Sequence, residues 1–172
     1  MKRQKGFSLI ELLIVVAIIL IIAAIAIPNL LRAKIAANEA SAVGSMRTIV
    51  TAEVAYASAG WTTGTPPVQI GFSTNLVDLG PNGATCTPPD ATHTCYIDTV
   101  LAGASAASPK SGYFFLYAPV VATSGTTNIG FNLNGNPAAV GQTGNRYFFS
   151  DASGVIRFNP AGSASSADNP LQ

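Results

Sequence analysis

An uninterrupted apolar run near the N-terminus limits what this chain can fold into. From Leu12 to Ile27 every residue is Leu, Ile, Val or Ala. As a helix rising about 1.5 Å per residue, the wider stretch 7–31 is long enough to cross roughly 30 Å of bilayer hydrocarbon. A helix that is apolar on every side belongs in a membrane or inside an assembly. The sequence therefore predicts one transmembrane segment, with Pro28 kinking the helix near its outer end.

Charge is distributed unevenly around this run. Lys2, Arg3 and Lys5 precede it, which predicts that the N-terminus stays in the cytoplasm. The other six basic residues face eight acidic residues, so the chain without this leader has a net charge of −2. The whole chain, at +1, has no basic surface of the kind that binds nucleic acid.

Glu11 is the one feature that an ordinary membrane anchor does not explain. It lies inside the apolar stretch, where an ionised carboxylate costs about 2.5–3.5 kcal/mol and usually has a partner. One interpretation places it near the membrane interface, where its carboxylate reaches water. The other interpretation is that a positively charged group from another molecule meets it.

The sequence Gly6-Phe7-Ser8-Leu9-Ile10-Glu11, followed by the apolar run, closely resembles the prepilin signature of type IV pilins and type II secretion pseudopilins. The resemblance implies cleavage between Gly6 and Phe7, followed by methylation of the new Phe7 amine. It also implies that Glu11 pairs with the N-terminal amine of a neighbouring subunit, and that Pro28 is the family's helix-kinking proline. Many relatives carry a glycine where this chain has Leu20, so melting of the helix before Pro28 is not implied.

The resemblance also implies partners and a location. The partners are other copies of the chain, the prepilin peptidase/methyltransferase, the inner-membrane assembly platform with its ATPase motors, and minor pilins. The precursor is expected to span the inner membrane once, with a periplasmic C-terminal domain, before it enters a cell-surface filament. Such a filament serves motility, adhesion or DNA uptake, so contact with nucleic acid stays open; no cofactor is expected.

Three alternatives remain at this point. A pseudopilin of a type II secretion system has the same assembly chemistry and a different task. A Sec-type signal peptide, cut near the small-x-small sequence 24–26, would release a soluble protein that begins at Ile27. A membrane-anchored or secreted binding domain belongs to a different class. The mature N-terminus separates the two processing routes: a methylated Phe7 indicates a pilin or pseudopilin, and Ile27 indicates a secreted protein.

Residues 32–59 predict an amphipathic second half of the same helix. Apolar residues recur there at steps of three and four and predict one buried stripe: Val43, Met46, Val50, Val54 and Ala57. Charged residues are expected at solvent-facing positions: Arg32, Lys34, Glu39, Arg47 and Glu53. Gly60 is the predicted end of the helix.

Residues 60–111 predict a long, turn-rich connection. Leu76–Leu79 is expected to form a short helical turn, and 96–97 with 100–101 to form a strand or to pack beneath the loop. The chain's two cysteines, Cys86 and Cys95, lie beyond the membrane segment in an oxidising compartment and predict a disulfide. The alternative, a metal site with His93, supplies only three ligands. His93 is otherwise expected to be an exposed loop residue.

Residues 112–159 predict an antiparallel sheet. Its strand candidates are 112–122, with Pro119 at a bend or edge, 128–133, with Ile129, Phe131 and Leu133 on one face, and a hairpin of 146–149 with 155–158. The tail 160–172 is expected to be a surface coil. The predicted fold is α+β, the pilin fold, in which the second half of the helix packs on the sheet.

The sequence contains few candidate catalytic residues. With a single histidine, a Ser-His-Asp arrangement would need the loop residue His93 as its base. Asp151, with Asp168 or nearby carbonyls, is a weak candidate for Ca²⁺, and the simpler interpretation is that Asp151 organises its own turn. The sequence thus predicts a structural subunit in place of an enzyme.

Overall fold

A computed structural model, which includes side chains, describes residues 7–81, 83, 86, 88–123 and 125–171. The leader 1–6, and with it Gly6 of the predicted cleavage site, lies outside the described residues. The chain divides into two compact units, residues 1–34 and 35–172.

Helix α1 runs from Leu9 to Ala59. The Ser8 carbonyl accepts the first helical hydrogen bond, from the Leu12 N–H. Pro28 lies inside the helix, and Gly60 follows its last residue with φ at +70°, the left-handed conformation that glycine adopts most easily at a helix end. The predicted long helix and its stop are both confirmed.

The buried face of α1 differs from the predicted stripe. Val43 and Met46 are buried as expected, but Val54 is 55% exposed. Glu39 and Glu53, both predicted to face solvent, are buried instead. The buried face includes these two acids because each accepts hydrogen bonds from donors within residues 35–172. Its buried residues are Glu39, Ala42, Val43, Ser45, Met46, Ile49, Ala52, Glu53 and Tyr56.

The connection after α1 contains short elements. Strands β1, Thr62–Thr63, and β2, Val68–Gln69, form an antiparallel ribbon. The predicted helical turn Leu76–Leu79 is present as a 3₁₀-helix. Residues Thr99–Ala102 form helix α2, so the strand predicted around 100–101 is wrong, while Leu101 does pack beneath the loop in the core.

Five antiparallel strands form one sheet in the order β3-β4-β5-β6-β7. They are β3 Tyr113–Val121, β4 Asn128–Pro137, β5 Tyr147–Asp151, β6 Arg157–Asn159 and β7 Asn169–Pro170. Pro119 lies in the edge strand β3, as predicted. The core cluster combines buried residues of α1 with Phe115, Leu133 and Phe148 of the sheet.

Two details of the sheet correct the predictions. Ile129 is 60% exposed and does not share the buried face of Phe131 and Leu133. The register shifts between Val120 and Val121, which pair with Gly130 and Asn128 and leave Ile129 unpaired in a bulge. The tail is also more than a coil, because β7 pairs with β6 and Ala164 is buried.

Candidate functional site

The first unit presents an exposed apolar helix surface. Every Leu, Ile, Val and Phe side chain from Phe7 to Leu31 is between 43% and 79% exposed. Of the described residues, α1 is the one helix long and apolar enough to cross a membrane, judged by length and composition. Exposure of this extent in water is unfavourable by about 25 cal/mol per Å² of apolar surface. This surface requires lipid or other protein around it.

Glu11 lies at the start of this helix. Ser8 is the residue before the first helical position, and its backbone N–H donates to Glu11 Oε2 at 2.9 Å. This contact is one half of a capping box, and the helix N-terminus favours a negative charge at that point. Glu11 is also the single charged residue between Lys5 and Arg32. Its carboxylate is therefore held within the first turn, four residues after Phe7.

The predicted disulfide is present. Cys86 and Cys95 are bonded, with their Cα atoms 5.8 Å apart. The alternative metal site is wrong, because both sulfur atoms are used in this bond. His93 is also not exposed as predicted, since its side chain is 18% exposed and its Nδ1 lies 2.8 Å from Asp90 Oδ1.

Asp151 and Asp168, the weak Ca²⁺ candidates, each accept hydrogen bonds within a local turn. Asp151 Oδ1 accepts the Ser153 N–H at 2.9 Å, in the loop between β5 and β6. Asp168 Oδ2 accepts the Ser165 N–H at 2.7 Å. Among the described residues, no group of three or more His, Cys, Asp or Glu side chains is placed to hold a metal ion.

The structure adds two buried acids that the sequence did not indicate. Glu39 accepts Arg146 Nε at 2.7 Å and the N–H groups of Asn145 and Arg146. Glu53 accepts the Ser73 N–H at 3.0 Å, and burial raises its pKa. The spacing of these acids from Ala42, Met46 and Ile49 by steps of three and four was the available signal.

Comparison with known proteins finds similarity over part of the chain. Residues 1–27 match the prokaryotic N-terminal methylation motif. The chain is 64% identical over 39 residues to the type IV wide pilus major component PilA4 of Thermus thermophilus, covering 23% of this chain and 30% of that protein. It is 45% identical over 56 residues to the type IV major pilin protein PilA of Myxococcus xanthus, covering 33% and 26%. Over these stretches the chain is similar to type IV pilins.

The likeness of this pilin-like chain to its relatives is confined to part of each molecule. The chain spans less than a third of the length of either pilin named above. No solved structure matches the chain. Its long apolar helix followed by a five-stranded antiparallel sheet is nevertheless the α+β arrangement that the resemblance implied.

Proposed function

We propose that this chain is a prepilin that is cut between Gly6 and Phe7, methylated on the Phe7 amine and assembled into a cell-surface filament. The observation that carries the proposal is Glu11, the one charged residue in the stretch 7–31, where every Leu, Ile, Val and Phe side chain is exposed. The methylation motif over residues 1–27 and the two pilin relatives support the same processing. The work of the chain is then structural.

The driving force for assembly is burial of residues 7–31 among copies of the same helix. A carboxylate and an amine that are each costly in an apolar medium become tolerable when they meet. Glu11 of one subunit therefore pairs with the Phe7 amine of a neighbour. A subunit that enters out of register leaves both charges unpaired, so the pairing also sets the stagger between subunits.

The proposal also gives the route by which the chain passes from the membrane to the filament. It begins as a single-pass inner-membrane precursor with its N-terminus in the cytoplasm and its C-terminal domain in the periplasm. The prepilin peptidase, the assembly platform, its ATPase motors and minor pilins act on it in turn. The finished filament serves motility, adhesion or DNA uptake. Both relatives named above are pilins, which favours a pilus over a type II secretion pseudopilus.

The test compares filaments sheared from cells that produce Glu11→Gln or the unchanged chain. Gln keeps the shape of the side chain but leaves a neighbour's amine without its counterion in an apolar core, at a cost of about 3 kcal/mol. We expect the variant to be cleaved and retained in the membrane, with more than tenfold less of it in sheared filaments. Mass spectrometry of the unchanged chain should find N-methylated Phe7 at its start.

Ser8→Ala is the matched control, because it removes a neighbouring polar side chain without changing charge and leaves the Ser8 N–H bond to Glu11 in place. Its filaments should match those of the unchanged chain. Abundant filaments from Glu11→Gln, or a mature protein that begins at Ile27, would refute the proposal.

A further inference from the structure

Glu53 is a fully buried acid that the proposed assembly chemistry does not use. It lies on the second half of α1 and is 0% exposed. Its Oε2 accepts the Ser73 N–H at 3.0 Å, and its Oε1 lies 2.5 Å from Ser73 Oγ. A charged group without a counterion is expensive at such a position. The protonation state of Glu53 therefore decides whether this contact stabilises the fold.

The oxygen atoms around the Ser73 hydroxyl indicate that Glu53 is protonated. Ser73 Oγ lies within hydrogen-bond distance of both Glu53 Oε1 and the Asn75 carbonyl, the latter at 3.1 Å. A serine hydroxyl has one proton and donates to one of them. When Glu53 is protonated, its O–H donates to Ser73 Oγ and the serine donates onward to Asn75. Both short contacts are then hydrogen bonds, and the Ser73 N–H still has Oε2 as its acceptor.

Among the residues that the structure describes, the titratable groups that act on Glu53 carry no positive charge. Burial raises the pKa of Glu53, and the charge of Asp78 in the 3₁₀-helix adds to this, against the lowering effect of hydrogen bonds from Ser73 and Tyr117. Tyr117 of β3 donates its hydroxyl to the Ser73 carbonyl at 2.9 Å, and burial raises its pKa as well. Burial, with the charges of nearby acids, raises the pKa of Tyr56 on α1 to about 12. The ion pairs recorded within the described residues do not include Glu53.

We propose that Glu53 is a neutral carboxylic acid in the folded protein and that its proton latches residues 72–79 onto α1. Ser73 is the anchor of this segment, because Asn128 Nδ2 of β4 also donates to its carbonyl at 3.1 Å. Behind it, Leu76 and Leu79 of the 3₁₀-helix lie in the core. Loss of the proton loosens this segment, while the five-stranded sheet keeps its own hydrogen bonds. The loop between the helix and the sheet thereby responds to pH.

The sign of the response follows from proton linkage. The latched state holds the proton more tightly than the open state, in which Glu53 titrates near its ordinary value of 4.5. Latching is therefore complete at acidic pH and is lost as the pH rises through the raised pKa. Between pH 4.5 and the raised pKa of Glu53, the opening equilibrium constant of residues 72–79 increases by up to tenfold per pH unit. Above the raised pKa it is constant.

The first test is a carboxyl titration of the full chain in detergent micelles, with ¹³C in the glutamate side chains. The chain has three glutamates, Glu11, Glu39 and Glu53, so each resonance is assigned by its Glu→Gln variant. We expect the Glu53 resonance to inflect clearly above 4.5. An inflection at or below that value would overturn the proposal, and this measurement needs no variant of Glu53 in the titrated sample.

The second test is amide hydrogen exchange of residues 72–79 against pH, corrected for the intrinsic exchange rate. In the unchanged chain the opening constant should rise with pH as described. Glu53→Gln reproduces the neutral acid, because its amide donates to Ser73 Oγ and its carbonyl accepts the Ser73 N–H. The pH dependence should fall in this variant to the part contributed by Asp78, whose pKa burial also raises, and should persist in full in Glu39→Gln, which alters a different buried acid. Equal pH dependence in Glu53→Gln and the unchanged chain would reject the latch.

Discussion

At the scale of single residues, the ion pair of Glu39 and Arg146 joins α1 to the segment that leads into β5. Glu39 accepts three hydrogen bonds, from Arg146 Nε and from two backbone N–H groups. Arg146 also lies 5.6 Å from the ring centres of both Phe148 and Phe158. Glu39→Ala leaves these donors without an acceptor. Because the Arg146 side chain is partly exposed, we expect a loss of about 2–3 kcal/mol, less than for a fully buried pair.

Chemical unfolding of the full chain in detergent, followed by circular dichroism, measures this change. Arg47→Ala is the control, since it removes an exposed charged residue from the same helix and should change the free energy of unfolding by less than about 0.5 kcal/mol. Equal stability of the two variants would show that Glu39 contributes nothing.

Glu39 and Glu53, the two buried acids of α1, show the limit of prediction from the local sequence. Charged residues are rarely buried without partners, so their charge alone assigns Glu39 and Glu53 to solvent, although their helical spacing places both on the buried face of α1. Their partners, Arg146 and Ser73, lie 107 and 20 residues further along the chain. Nothing in the sequence around either acid indicates a partner at that distance. Glu11 is different, because a lone acid inside an apolar run is conspicuous in the sequence itself.

At the scale of elements, the disulfide closes a loop in the connection between α1 and the sheet. Cys86 and Cys95 are nine positions apart, and closing a loop of this length stabilises the protein by about 2.5 kcal/mol in the chain-entropy model. The double variant Cys86→Ser/Cys95→Ser should unfold at correspondingly lower denaturant concentration. Its sheet should keep its native circular dichroism, because the strands pair without the disulfide.

The matched comparison is the unchanged chain with and without reductant. Reductant should lower its stability to that of the double variant and leave the double variant unaffected. If reduction unfolded the whole domain in native buffer, the disulfide would be a condition for the fold and this prediction would be wrong.

Element prediction succeeded where the pattern was long and failed where it was short. The predicted strand 112–122 and hairpin 146–158 correspond to β3 and to the β5–β6 pair. Strand β7 and the β1–β2 ribbon have two residues per strand, which is too few for an alternating pattern. The bulge at Ile129 depends on the pairing of β3 with β4, so the sequence of β4 alone predicts the wrong face. The α+β fold follows from the longer elements.

At the scale of the whole molecule, the two compact units have separate tasks in our proposal. The first, residues 1–34, supplies the apolar surface and Glu11 for assembly. The second, residues 35–172, contains the buried residues of the core cluster and those packed against it. Among the described residues of α1, the buried positions begin at Glu39, which lies in the second unit.

This division predicts that residues 35–172 fold without the first unit. Directed to an oxidising compartment, this fragment should be a soluble monomer with the Cys86–Cys95 disulfide and one cooperative unfolding transition, worth about 5–15 kcal/mol. It should neither bind lipid vesicles nor enter filaments, because the apolar surface and Glu11 are gone. Size-exclusion chromatography, vesicle sedimentation and thermal unfolding measure these properties. A fragment that polymerised would place the assembly contacts in the second unit, and a fragment without cooperative unfolding would show that its core depends on residues 1–34.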